Sequence, residues 1–381
     1  MGIQMNENAD TSASRMAYLD WMRVLAILVV FFFHAARPFD HDGWHIKNGE
    51  ISEAFSVFIF FIAQFIMPLF FFMSGISSLY ALKHGPRAYI KSRVKRLLVP
   101  LLFGIFVVIA PIQVWIERMD NGQFAGSFIE FYPRYFDGFY GFGGNFAWMG
   151  IHLWYLEMLF LFSLITLPFF IWMKRKAGIG MGKKSGFTEN ALSPLIFIIP
   201  LIIVELLANL DPHMIGRRDW GGWNLFSHLI FFPAGFLCAL YPGFIGSMKR
   251  GRFLYLAAAV PFTICGLFIH NDPGSPVSNY IMFCFWHSIV PWLWIFFIVG
   301  IAKTYLTAGN TFLRYASDAV LPFYILHQTV IVVAFFFMKQ WDWPIWAKYM
   351  MLCPISFAVI MVVYEFVVRR YSPMRFFFGM K

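Results

Sequence analysis

Arg23 and His34 lie eleven residues apart in the first apolar stretch of the chain, and no other pair in it offers as much chemistry. On an α-helix that separation is about three turns plus 20°, so both side chains would project from one face, about 16 Å apart along the axis. A guanidinium binds anionic oxygens, and a neutral imidazole can take a proton from a hydroxyl. Asp20, three residues before Arg23, is placed to pair with it and to offset the cost of a cation in an apolar setting. The same residues could equally be a structural ion pair beside an unrelated core histidine. A second feature is the Arg-x-x-Arg step of Arg93 and Arg96 within Lys91-Ser92-Arg93-Val94-Lys95-Arg96. A spacing of three would put both planar forks on one helix face, where they suit phosphate, although basic clusters beside a span also serve as topology signals and lipid contacts. His152, Glu157 and His327 complete the candidates, each an ionisable group inside an apolar run.

The composition says what must hold these residues. Of 381 residues, 60% are hydrophobic, 21% aromatic and only 13% charged, against about 45–50% apolar and about 25% charged in an ordinary soluble domain. A water-soluble fold is excluded. The apolar runs are long enough for helices that cross about 30 Å of hydrocarbon, and they predict an all-α integral membrane protein, a bundle of about ten transmembrane helices. The spans are expected near Tyr18 to Arg37, Ala54 to Leu82, Leu97 to Trp115, Ile151 to Met173, Ala191 to Leu210, Trp223 to Tyr241, Phe253 to Ile269, Tyr280 to Ala302, Leu313 to Met338 and Ile345 to Val368. With no internal repeat or long linker, we expect one transmembrane domain over residues 18–368, a cytoplasmic tail at 1–17 and another at 369–381. The Gly/Lys-rich segment between the fourth and fifth spans reads as a plain connector.

A net charge of +10 would suit nucleic acid, but 21 of the 30 Lys and Arg residues fall in alternate loops, the first of them Lys83 to Arg96 and Lys174 to Lys184. Basic loops face the cytoplasm, which predicts that both termini are cytoplasmic and that the bilayer, not nucleic acid, is the partner. The first span carries Arg23 and has no small-residue cleavage site after it, so it is expected to be retained. In that topology His34, His152, Glu157, Glu205, His228 and His287 fall in the outer halves of their spans, and Asp20, Arg23, Asp318 and Glu365 in the inner halves. His327 falls near the midplane. A polar chamber open to the outside and a basic entrance inside would give this distribution; so, for several of these residues, would simple pairing that holds the bundle together. Cys238, Cys265, Cys284 and Cys353 all lie within spans at no paired spacing, so neither a disulfide framework nor a metal site is expected.

Several stretches resemble the acyltransferase 3 family of membrane O-acyltransferases. Tyr18-Leu19-Asp20-Trp21-Met22-Arg23 running to His34-Ala35 is similar to that family's signature of a basic residue, ten positions and a histidine. Arg93-Val94-Lys95-Arg96 followed by Leu97, Leu98, Val99 and Pro100 is similar to its second signature. Pro68-Leu69-Phe70-Phe71-Phe72-Met73-Ser74-Gly75, His152-Leu153-Trp154-Tyr155-Leu156 and Phe323-Tyr324-Ile325-Leu326-His327-Gln328 resemble stretches that recur there in the same order. The resemblance implies an inner-membrane, multi-pass enzyme that moves an acyl group, acetyl or succinyl, from cytoplasmic acyl-coenzyme A to a hydroxyl of an envelope or periplasmic glycan. It is nearest to the glucan biosynthesis protein C type, which implies a succinylated glucan.

On that footing Arg93 and Arg96 would bind the coenzyme A phosphates, Arg23 would position the donor arm, and His34 would be the general base. His152, Glu157 and His327 would belong to the acceptor site. A reference pKa near 6.5 makes the neutral imidazole available at pH 7, and no serine or cysteine at a diagnostic spacing from His34 suggests a covalent acyl-enzyme. The aromatic external segment from Met119 to Gly150 could be a sugar-stacking platform or an interfacial belt. The rival reading is a transporter or flippase for a lipid or glycan with proton-relay residues, for which an inverted repeat would be expected. The acceptor, the acyl group and the oligomeric state are not legible in the sequence.

Overall fold

The computed structural model describes residues 4–178, 186–211, 213–269 and 277–380. Among them the regular structure is helical and no β-strand is present. Lipid imposes this, because backbone groups with no water to bond must be satisfied within the segment. The helices are α1 (Gln4–Ala36), α2 (Glu53–Ala63), α3 (Ile66–Ala81), α4 (Pro86–Arg93), α5 (Val99–Phe106), α6 (Ile109–Asp120), α7 (Phe128–Phe131), α8 (Trp154–Ile165), α9 (Leu167–Lys176), α10 (Gly186–Glu189), α11 (Ile198–Ala208), α12 (Leu225–Leu240), α13 (Gly243–Gly266), α14 (Val277–Tyr305), α15 (Thr311–Met338), α16 (Ile345–Val363) and α17 (Ser372–Phe377).

Six helical stretches are long and apolar enough to cross a membrane, or up to eight if each of two bent pairs counts as one span; Ser193–Ala208 is a shorter apolar helix. Each of the ten expected spans overlaps helix, but not every one is straight. The fourth is bent by 50° between α8 and α9. There the Thr166 hydroxyl donates to the Phe162 carbonyl at 2.7 Å, and Pro168 opens the next helix without an N–H. The sixth and seventh meet at 105°. Here the structure departs from the loop implied between the expected spans that end at Tyr241 and begin at Phe253: its basic residues Lys249, Arg250 and Arg252 lie inside α13, which starts at Gly243 directly after the turn at Tyr241 and Pro242. The expected tail at 1–17 likewise carries helix from Gln4 onward, and the expected tail at 369–381 contains α17. The connector Lys174 to Lys184 lies in α9 as far as Lys176, continues through Ala177 and Gly178, and from residue 179 on lies outside the described residues.

The chain forms two compact units, each assembled from separate stretches. The first comprises Met1–Ala26, Phe61–Tyr89 and Phe162–Arg314. Its core seam is the crossing of α3 and α12. A β-carbon added to Gly75 would lie 1.9 Å from the Phe232 carbonyl oxygen, and one added to Gly235 would lie 1.9 Å from that of Phe72. Only glycine permits this approach, and such small-residue contacts hold helices together where no hydrophobic effect acts between them.

The second unit comprises Ile27–Phe60, Ile90–Leu161 and Tyr315–Lys381. Part of its surface is a folded cap made by the aromatic segment after α6. A capping box of Ser127 and Glu130 starts α7, and Phe131, Tyr135 and Ala147 pack on Ala110 and Val114. Tyr135 is buried and donates to the Ile105 carbonyl at 2.9 Å, so it is no sugar platform; Phe136, Phe139, Phe142 and Trp148 are exposed.

Candidate active site

The second unit brings three of the expected histidines together. His34 sits in the last turn of α1, His327 in the middle of α15, and His152 in the 3-10 turn that leads into α8. The His34 and His327 rings are 4.9 Å apart and those of His152 and His327 5.1 Å, both edge to face. His152 follows a strained backbone: Gly150 has φ +70° and Ile151 has φ +56°, the only non-glycine residue with positive φ among those described. A β-branched residue there costs about 1–3 kcal/mol, a strain that clusters at functional sites.

The hydrogen bonds fix the proton on each ring. His327 Nδ1–H donates to the Tyr324 carbonyl at 2.6 Å, which leaves its Nε2 as an acceptor. His34 Nδ1 lies 3.2 Å from that Nε2 and 3.0 Å from the Val30 carbonyl. Both neighbours accept, so His34 in its neutral form carries its proton on Nδ1 and presents Nε2 as a base. His152 Nε2–H donates to the Ile325 carbonyl at 3.1 Å, and Tyr324 donates to the His152 carbonyl. The Nδ1 of His152 is buried with no hydrogen-bond partner.

Arg23 belongs to the first unit although it shares α1 with His34. It pairs with Asp20 at 2.6 Å, as the spacing predicts, and donates to the Ser77 hydroxyl. Arg93 ends α4, and Arg96 lies in a π-helical segment, Val94–Leu98, that joins α4 to α5. Single π turns of this kind occur preferentially at functional sites. The C-terminal residues pack beside this turn: Phe377 stacks on Phe103, and Gly379 abuts Pro100 and the Arg96 carbonyl.

A profile of the acyltransferase 3 family, described as an acyltransferase domain, matches residues 16–365, nearly the whole chain. This chain belongs to the acyltransferase 3 family. Curated relatives named glucans biosynthesis protein C from Salmonella schwarzengrund (strain CVM19633) and Salmonella agona (strain SL483) are 24% identical over 268 and 258 residues. Each alignment covers 66% of this chain and 65% of the relative, so the chain spans about 65% of the length of the curated relatives it matches. No solved structure matches it.

Within this acyltransferase-family fold the other ionisable groups of the expected spans separate by what they touch. Glu157 is half-buried, and one carboxyl oxygen has no hydrogen-bond partner. Glu205 is fully engaged in the first unit: it accepts from Arg218 at 2.7 Å, from Asn224 at 3.0 Å and from Ser227, with His287 at 3.4 Å. His228 bonds the Trp220 carbonyl at 2.9 Å. These are pegs that tie the loop holding Arg218, Trp220 and Asn224 to its helices. Sequence reasoning missed a second cluster in the second unit, made by His45, Glu117, Tyr140 and Gln328. Glu117 escaped notice because the third span was ended at Trp115, whereas α6 continues to Asp120. His45 escaped because it sits in a polar loop, where a histidine carries no signal.

Proposed function

We propose that this family member transfers an acyl group, acetyl or succinyl, from cytoplasmic acyl-coenzyme A to a hydroxyl of an envelope or periplasmic glycan. The observation that carries the reading is the His34 and His327 pair, whose hydrogen bonds leave His34 Nε2 as the basic atom. Nε2 takes the proton of the acceptor hydroxyl as its oxygen attacks the thioester carbonyl. The imidazolium so formed keeps its Nδ1–H directed at His327 Nε2. When the tetrahedral intermediate collapses, the carbon–sulfur bond breaks and the coenzyme A thiolate recovers the proton, so no net proton is released.

His152, with an unpartnered ring nitrogen, and Glu157, with an unpartnered oxygen, supply acceptors for the hydroxyls of a glycan. Arg93 and Arg96 hold the donor phosphates by bidentate contacts, and Arg23 positions the donor arm. The word glucans in the relatives' names supports a glucan as acceptor here. The charge asymmetry of the loops supports ten crossings of the inner membrane with both termini in the cytoplasm. Mass spectrometry of envelope glycans from cells with and without the gene tests the proposal. The expected result is a mass increment that depends on the gene and identifies the acyl group; identical glycan masses would sink it.

A further inference from the structure

The polar cluster at His45 plays no part in the proposed transfer step. His45 Nδ1 bonds the Glu117 carboxylate, Tyr140 donates to the same oxygen at 2.7 Å, and Arg118 donates to the other at 3.1 Å. Burial and the adjacent Glu117 carboxylate push the Tyr140 phenol upward, which keeps it a donor. Because His45 Nδ1 carries the proton, Nε2 is an acceptor, and the Gln328 amide donates to it at 3.1 Å. Gln328 is the residue after His327.

We propose that His45, Glu117 and Gln328 are positioning residues for the transfer, fixing the turn of α15 that holds His327 against His34. The inference rests on the reading of His34 as general base. Two histidines of one segment grip consecutive residues of α15: His34 meets His327, and His45 meets Gln328. The segment between them is tied into one body. Arg37 donates to Asp40, to Asp42 and to the Gly43 carbonyl, while Lys47 donates to the Arg37 and Asp40 carbonyls and to the Asp40 carboxylate. Glu117 sets the His45 tautomer that Gln328 needs, as a carboxylate behind an imidazole commonly does. The turn also needs outside support, since Pro322, five residues before His327, has no N–H to offer the Asp318 carbonyl. The polar atoms of the cluster are engaged with one another, which makes it a brace and not a ligand site.

Epistasis tests this in cells lacking the native gene and carrying the full chain at equal membrane levels. The initial rate of acyl addition to envelope glycans is followed by mass spectrometry. Gln328→Leu should lower that rate roughly five- to tenfold, within the range of coupling between contacting residues. In a His327→Asn background, whose shorter amide does not reach His34 but leaves the base itself in place, the same change should cost less than twofold. An equal loss in both backgrounds, or no loss in the unaltered one, would overturn the inference. Should the leucine variant fail to accumulate, Tyr140→Phe removes one bond to Glu117 without emptying volume and is judged by the same two comparisons. Absence of acylation by the unaltered chain is a different failure, that of the proposed function itself.

Discussion

At the scale of single residues, the proposed mechanism rests on His34. Replacing it by Ala or Gln should lower transfer by about 10²–10⁴, the usual cost of a lost general base, while donor affinity stays within a few-fold. Donor binding, melting temperature and transfer rate measured on one purified variant separate this from a structural role, in which activity would fall in step with stability. Substantial transfer by a well-folded His34→Ala protein would end the assignment. Arg23, Asp20 and His34 were legible in the sequence because they interrupt an apolar run, where an ionisable group stands out by its cost. The bond between His34 and His327 was not, since it joins residues 293 positions apart and depends on how two helices are rotated. His45 and Glu117 were illegible for the opposite reason: at a span's end and in a polar loop, charge is ordinary.

The element on which the proposed donor binding depends is the π turn at Val94–Leu98. If Arg93 and Arg96 bind donor phosphates, Arg93→Lys or Arg96→Lys should weaken acyl-coenzyme A binding although the charge is kept, because an ammonium cannot reproduce the planar fork. Titration of the purified protein with the donor checks it, and unchanged affinity in both variants and in the double alanine variant would reduce the pair to a topology signal. Hydropathy located the helices well, and the last span, Ile345 to Val368, has the same limits in the structure. It did not locate the bends. Those arise from single local choices, a threonine bonding back to Phe162 or a Tyr241-Pro242 turn, that leave average hydropathy untouched.

At the scale of the whole molecule, orientation is the property that loop charge predicts and an all-helical fold does not decide. A cysteine introduced at the exposed Arg87, in a Cys265→Ser background, should resist an impermeant thiol reagent in intact cells and react once the membrane is opened. Labelling in intact cells would reverse the topology, and with it the side from which the donor enters. The glycine seam between α3 and α12 bears on how such a molecule is made. Gly75 and Gly235 are 160 residues apart, which at translation speeds of about 5–20 residues per second is on the order of ten seconds of synthesis. Throughout that interval α3 must wait in lipid with its notch unfilled, so a ribosome stalled before Leu225 would leave behind a chain whose defect a membrane protease can recognise by an empty groove instead of an unfolded one.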